Sequence, residues 1–227
     1  MPTSSSSGSV SKKRVLLVDD HPIVRHGLME LINTTQEICV CGEASTGKEA
    51  LDLLESASPD MAIVDISLED RNGVELIRDI LARRPELPCL VLSMYDETVY
   101  AIRVLRAGAR GYIMKQEMPR KIIEAIRKVL DGNIYLSEKM STRLLNRFVT
   151  TSMSEFSETP NLSPRELEVL TLIGRGQSTS EIADKLFLSV KTVAAHRERI
   201  KEKLGLENSI ELLRYAMQFT QDQFASE

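Results

Sequence analysis

Residues 60–68 read DMAIVDISL. Four consecutive apolar residues, Met61, Ala62, Ile63 and Val64, end in a single carboxylate, Asp65. An apolar run this short, bounded by polar residues, reads as a strand buried on both faces. Upstream, residues 15–18 (VLLV) end the same way, in Asp19 and Asp20. Two such strands delivering acids at their carboxyl ends imply an acidic pocket along one edge of a parallel sheet.

Working outward, strand and helix alternate five times. The remaining strands are expected at residues 38–42 (ICVCG), 89–92 (CLVL) and 111–114 (GYIM). A helix opens at His21-Pro22, with proline at its first position. Thr46-Gly47-Lys48-Glu49 forms a capping box for a helix to residue 54. Further helices are expected at about 73–83, 97–107 and 120–130. Short apolar runs separated by amphipathic helices require a five-stranded parallel sheet covered on both faces, doubly wound by right-handed crossovers. Functional crevices in such sheets lie beyond the carboxyl ends of the strands, where Asp19, Asp20, Asp65, Ser93 and Lys115 stand.

After Gly132 the alternation stops. Residues 137–149 could form a helix with Met140, Leu144, Leu145 and Phe148 on one side, and residues 150–161 (TTSMSEFSETPN) read as a flexible linker. Everything beyond is helical. Ser163-Pro164-Arg165-Glu166 and Ser178-Thr179-Ser180-Glu181 are capping boxes, a helix over 190–204 stops before Gly205, and 209–219 supplies the last helix. The expected organisation is a tail at 1–12, an α/β domain at 13–132, a linker with a helix at 133–160, and a small all-α domain of four helices at 161–222.

A chain of 227 residues accommodates two domains. Its net charge of −4 is unevenly spread, because residues 191–203 carry Lys191, Arg197, Arg199, Lys201 and Lys203 against only Glu198 and Glu202. That local excess suits a polyanion. Cys39, Cys41 and Cys89 fit small buried hydrophobes in a reducing compartment better than a disulfide framework. No apolar run is long enough for a membrane span, and the polar start has no signal-peptide core, so the expected location is the cytoplasm.

Three carboxylates brought together repel, and such a site persists when a cation occupies it. An all-oxygen set of few protein groups suits Mg²⁺, which keeps several waters. A phosphoryl group delivered there can be attacked in line by a carboxylate to give an acyl phosphate, with Lys115 balancing the charge and Ser93 hydrogen-bonding a phosphoryl oxygen. The blander alternative is that Lys115 only neutralises buried acids and Ser93 only caps the next helix.

In the helical half, residues 180–186, 187–189 and 190–204 have the proportions of a helix-turn-helix. On a helical wheel Val193, Ile200 and Leu204 face inward, while Lys191, Ala195, Glu198 and Arg199 project outward and Ala194 and Lys201 lie to one side. His196 falls near the inward edge, where packing or a phosphate contact is expected. The expected DNA-facing set is Lys191, Thr192, Ala194, Ala195, His196, Glu198, Arg199 and Lys203. Its basic members would grip phosphates, Glu198 could accept from a cytosine amino group, and Ala194 or Ala195 could meet thymine methyls.

The stretches VLLVDDHP, AIVDISLEDRNG, VLSMY and ARGYIMK resemble the receiver domain of two-component response regulators. The stretch from LSPRELEV to KEKLG is similar to the helix-turn-helix output domain of the LuxR/NarL (FixJ) class. The resemblance spans nearly all of residues 14–220 and implies a flavodoxin-like fold for the first domain. It implies Asp65 as phosphoacceptor, with Asp20, Asp65 and the backbone carbonyl of Ser67 as Mg²⁺ ligands and Asp19 holding the metal indirectly. Ser93 and Tyr112 would be a switch pair, the hydroxyl drawn to the phosphate and the ring turning inward, and Lys115 the ion-pair partner. Implied partners are a sensor histidine kinase, double-stranded DNA, RNA polymerase and a second copy of the chain, paired through the last helix. The implied function is transcription regulation, with no enzyme activity beyond self-catalysed phosphotransfer and autodephosphorylation.

Some residues depart from the family pattern. Leu68-Glu69 replaces a frequent Met-Pro, Gln116 replaces a frequent Pro, and Met94 is larger than the small residue common there. Competing readings are an output domain acting on RNA or protein, and a regulator that works without phosphorylation. An aspartyl-phosphate phosphatase would need a second acid where Ser67 stands, and a cap for which the sequence has no insertion.

Overall fold

The computed structural model describes residues 12–150 and 162–224. The expected tail, up to residue 11, and the linker over 151–161 lie outside the described residues. The chain divides into two compact units, one built on residues up to Leu92 with Ala107–Tyr135, the other on Ser93–Arg106 with the residues from Leu136 onward.

Five strands, β1 (Lys13–Val18), β2 (Ile38–Ala44), β3 (Met61–Asp65), β4 (Cys89–Ser93) and β5 (Gly111–Met114), form one sheet in the order β2-β1-β3-β4-β5. The measured pairings, β1 with β2, β1 with β3 and β3 with β4, are all parallel. This is the doubly wound, flavodoxin-like architecture expected from the alternation. Helices α1 (Pro22–Asn33), α2 (Gly47–Ser56), α3 (Gly73–Arg83), α4 (Glu97–Arg106) and α5 (Met118–Leu130) connect and follow the strands. Because side chains alternate along a strand, Val15, Leu17, Met61, Ile63, Leu90, Leu92 and Ile113 face one way. They pack with Leu28 and Ile32 of α1 and with Ile122, Ile126 and Val129 of α5.

Several elements run beyond their expected bounds. β3 includes Asp65, because its residue pairs in register with Leu92. α5 starts at Met118 rather than at Arg120, with Pro119 in its first turn where no amide donor is needed. The β1–β2 register jumps between Val15↔Val40 and Leu16↔Gly42, so Cys41 is the extra residue of a bulge. All three cysteines are free; Cys89 is buried, while Cys39 and Cys41 are only half-buried. Burial pushes the Cys89 thiol up to about 12, which leaves it an inert core residue.

The second unit is helical: α6 (Glu138–Thr150), α7 (Pro164–Gly174), α8 (Thr179–Leu186), α9 (Val190–Leu204) and α10 (Ser209–Phe224). Two of the three expected capping boxes form, Ser163 with Glu166 on α7 and Ser178 with Glu181 on α8; at α2 Thr46 accepts from the Glu49 amide, but the Glu49 carboxylate reaches the Ser45 amide (2.7 Å) instead of closing the box. α9 is capped by Ser189, whose hydroxyl accepts from the Thr192 amide, and it ends at Gly205 in the left-handed conformation. Leu167, Leu170, Ile182, Ile200, Leu212 and Ala216 are fully buried and make up much of the core. Gly174 lets α7 approach α10 closely, since a Cβ there would lie 2.2 Å from the Ala216 carbonyl oxygen. Within this unit the Glu97 carboxylate accepts from the Ser137 amide (2.9 Å), and Arg103 donates to the Leu162 carbonyl (2.7 Å). α10 outruns its expected end at residue 219 by several residues.

Candidate functional site

The side-chain alternation that builds the core also builds the site. Asp19 continues the parity of Val15 and Leu17, Asp65 that of Met61 and Ile63, and Lys115 that of Ile113. The register Val18↔Val64 brings Asp19 and Asp65, the next residues of adjacent strands, side by side. Both are 2% exposed. Lys115 Nζ lies 2.7 Å from Asp19 Oδ2 and 2.7 Å from Asp65 Oδ2. Asp20, partly buried, completes the cluster, and His21 places Nδ1 2.6 Å from Asp20 Oδ1 and 3.2 Å from Asp19 Oδ1.

Burial pushes the Asp65 carboxyl above its ordinary range, with Lys115 pulling it down and Asp19 pushing it further up. Burial alone would lower the Lys115 ammonium, but Asp65 and Asp19 outweigh it and hold it above its ordinary value. One lysine bridges two buried carboxylates, and the third, Asp20, lies against His21.

The loop after Asp65 folds back over it. The Ser67 amide lies 3.2 Å from Asp65 Oδ1, and the Gly73 amide donates to the Ile66 carbonyl (2.9 Å). Gly73 has no sterically acceptable replacement, because a Cβ there would sit 2.1 Å from the Asp65 carbonyl oxygen. Asn72 caps α3 through the Val74 amide, and Asp70 accepts from the Gly47 amide across the loop. Ser93 ends β4 fully buried, and its oxygen accepts from the Tyr95 amide (3.2 Å), leaving the O–H as a donor. Tyr112 in β5 is also buried.

Sequence reasoning singled out the carboxylates, Ser93, Tyr112 and Lys115, but not the site roles of His21, Arg25 and Gly73. His21 sits on the acidic cluster, and Arg25 donates to the Asp19 carbonyl. The signals were present in part: His21 follows the acid pair directly, and Gly73 opens a helix, where glycine has no helix-forming advantage.

The donor atoms of Asp19, Asp20, His21 and Asp65 all lie within 4.8 Å of one another. Two buried carboxylates with a third, partly buried, beside them offer the hard oxygen ligands that suit a divalent cation such as Mg²⁺.

On the helical unit, α9 presents Lys191, Thr192, Ala194, Ala195, Glu198, Arg199 and Lys203 as exposed, with Val193 and Ile200 buried beneath. Two of these charges are engaged locally. Lys203 Nζ donates to the buried Glu166 carboxylate (2.7 Å), and Glu198 pairs with Lys201 (2.8 Å). His196 is half-buried, with no hydrogen-bond partner for Nδ1 among the described residues, and burial together with Arg199 lowers its pKa. Along α10, Ile210, Leu213 and Met217 are exposed at a spacing that puts them on one face.

A buried acidic cluster with a bridging lysine at the strand ends of a flavodoxin-like sheet, followed by a capped helix-turn-helix, matches a class: receiver domains joined to DNA-binding output domains. The comparisons agree. Residues 15–127 match the response regulator receiver domain, and residues 160–216 match the bacterial regulatory proteins of the luxR family. The chain is 38% identical over 209 residues to the oxygen regulatory protein NreC of Staphylococcus carnosus, covering 90% of this chain and 96% of the relative. NreC of Staphylococcus aureus is similar to the same extent. Among solved structures, Salmonella typhimurium RcsB is 30% identical with a TM-score of 0.55, over 90% of this chain and 97% of that one. A LuxR-family response regulator from Aurantimonas is 32% identical with a TM-score of 0.57, over 61% of this chain and 99% of its own. This chain therefore belongs to the LuxR-class two-component response regulators, DNA-binding regulators of transcription rather than enzymes. Among the described residues no helix is long and apolar enough to cross a membrane.

Proposed function

We propose that Asp65 is the phosphoacceptor, and that Asp20, Asp65 and the Ser67 carbonyl hold Mg²⁺ with Asp19 acting on it indirectly. The observation that carries this reading is the Lys115 ammonium bridging Asp19 and Asp65 at the carboxyl ends of the strands. Mg²⁺, when bound, supplies the charge that lets a phosphoryl dianion approach the carboxylates. An Asp65 carboxylate oxygen attacks the phosphorus of a phosphohistidine on a sensor kinase in line. The O–P bond forms as the N–P bond breaks, and the imidazole nitrogen leaves with the bonding pair. Lys115 then turns from the carboxylate to the new phosphoryl oxygens, and the Ser93 O–H donates to another. Tyr112, buried on β5, is the second member of the switch.

α9 then serves as the recognition helix. Lys191 and Arg199 hold phosphates, Thr192, Ala194 and Ala195 face the groove, and Glu198 reads a base only if it leaves Lys201. His196 and Lys203 position the helix. The apolar face of α10 fits pairing with a second copy on DNA, as RcsB dimers are described on DNA. The protein works in the cytoplasm, and contact with RNA polymerase completes the output.

The test is beryllofluoride with Mg²⁺ on the full chain. A Mg²⁺-dependent adduct, and an alkali-labile phosphoryl label from a small phosphodonor, are both expected to be lost in Asp65→Asn. A label that persisted in that variant would contradict the assignment.

A further inference from the structure

Phe187 occupies the turn between α8 and α9, and its placement has no structural advantage. Its backbone is left-handed, with φ 54 and ψ 42. The turn is a Schellman-type stop, with the Leu188 amide donating to the Ala183 carbonyl (2.9 Å), and its left-handed position ordinarily holds glycine or asparagine. A side chain with a Cβ is disfavoured there. The ring returns nothing to the fold, because the residue is 96% exposed. A strained backbone carrying a fully exposed aromatic is a pairing that points outward, to a ligand.

The surroundings say which ligand. Val190, the first residue of α9, is 52% exposed. Phe187 and Val190 are thus two exposed apolar side chains three residues apart at the N-terminal end of α9, the end of a recognition helix that contacts base edges. Exposed Lys185 and Lys191 flank the pair in sequence, so a phosphate backbone is drawn to either side of it. Asp184 is also exposed on the α8 side.

We propose that Phe187 is a DNA-contact residue, its ring packing with Val190 against deoxyribose and thymine methyl groups at the edge of the groove. The inference rests on α9 being the recognition helix. It assigns part of the affinity to an apolar term that releases no counterions, and it favours thymine at the flank of the site.

The experiment uses the full chain treated with beryllofluoride and Mg²⁺, and duplexes that the wild type enriches from a random-sequence pool. Phe187→Ala, Phe187→Asn and Phe187→Leu are compared with Lys191→Ala. Phe187→Asn is expected to melt higher than wild type, since asparagine tolerates the left-handed turn, yet to bind about tenfold more weakly, as losing the burial of part of an aromatic ring requires. Its affinity should keep the wild-type salt slope, whereas Lys191→Ala should lower that slope by about one. Phe187→Leu should recover part of the affinity. Wild-type affinity in Phe187→Ala and Phe187→Asn would overturn the proposal. So would a loss of transcription with DNA binding intact, which would give the ring to a protein partner. If the wild type enriches no duplex, or Lys191→Ala binds as wild type does, the recognition-helix reading itself fails.

Discussion

Lys115 and Asp65 lie 2.7 Å apart, nitrogen to oxygen, at the ends of two strands that are not neighbours in the sheet. The same ammonium reaches Asp19, so one lysine offsets two buried carboxylates. Removing it leaves them facing each other away from water. Lys115→Ala should destabilise the receiver by about 3 kcal/mol, the usual cost of orphaning a buried charge. Millimolar Mg²⁺ should recover part of that loss by replacing the missing positive charge. Thermal melts with and without Mg²⁺ check this; an unchanged melt in both conditions would mean that Lys115 does not hold the acids together.

Asp65→Asn should do the opposite. Burial raises the Asp65 carboxyl above its ordinary range, so the folded state binds its proton more tightly than the unfolded state does. Stability linked to this group is therefore lost as pH rises from the ordinary carboxylate range through the folded pKa, and is fully lost above it. At neutral pH without Mg²⁺, Asp65→Asn should melt higher than wild type, and the difference should shrink as pH falls toward 4. A variant less stable than wild type at pH 7 would show that the Lys115 pair outweighs the burial cost.

The acids and Lys115 were legible in the sequence because each sits where an apolar run ends, and a parallel sheet gathers strand ends along one edge. The parity of Val15, Leu17 and Asp19, and of Met61, Ile63 and Asp65, even fixes the shared face. What was not legible depends on the path of loops. That Gly73 touches the Asp65 carbonyl follows from how residues 66–72 turn back, which no periodicity encodes. The pairing of Lys203 with Glu166 joins helices far apart in sequence, so the wheel shows Lys203 as one more outward cation. The early start of α5 was missed because Met118-Pro119 reads as a break until proline is seen at the first turn.

Gly73→Ala makes that loop contact measurable. A Cβ 2.1 Å from the Asp65 carbonyl oxygen cannot be accommodated without moving backbone, so the loop carrying the Ser67 carbonyl must shift. The expected outcome is a loss of about 1–3 kcal/mol in stability, together with weaker Mg²⁺ binding, read by calorimetry. Wild-type Mg²⁺ affinity would mean that the Ser67 carbonyl is not a ligand.

Glu166 gives the helical unit its own acid limit. Burial alone would raise its carboxyl, but the Lys203 ammonium and the Ser163 backbone and hydroxyl outweigh it and hold it below the ordinary range. A depressed carboxyl contributes stability that is present above the unfolded pKa and is lost as pH falls through the folded pKa. The helical unit should therefore lose stability below about pH 4, monitored by its own amide signals. Glu166→Gln should cost about 1 kcal/mol at neutral pH, as loss of a capping partner does, and should flatten the acid limb. An acid limb as steep as that of wild type would assign the titration to another carboxylate.

Substituting Lys191 should separate affinity from specificity on α9. This lysine is exposed at the start of the helix and has no acid three or four residues along, the positions that face it on a helix, since Ala194 and Ala195 stand there. Its charge is therefore available to a phosphate, which carries no sequence information. Lys191→Ala should weaken every duplex by a similar factor and lower the salt slope by about one, with the preferred sequence unchanged. Ala195→Glu should instead reject DNA outright by placing a carboxylate in the negatively charged groove, while leaving the fold intact because position 195 is exposed. Quantitative binding titrations at several salt concentrations read both effects. If Lys191→Ala changed the preferred sequence without changing the slope, the lysine would be reading a base edge and the division of roles along α9 would have to be redrawn.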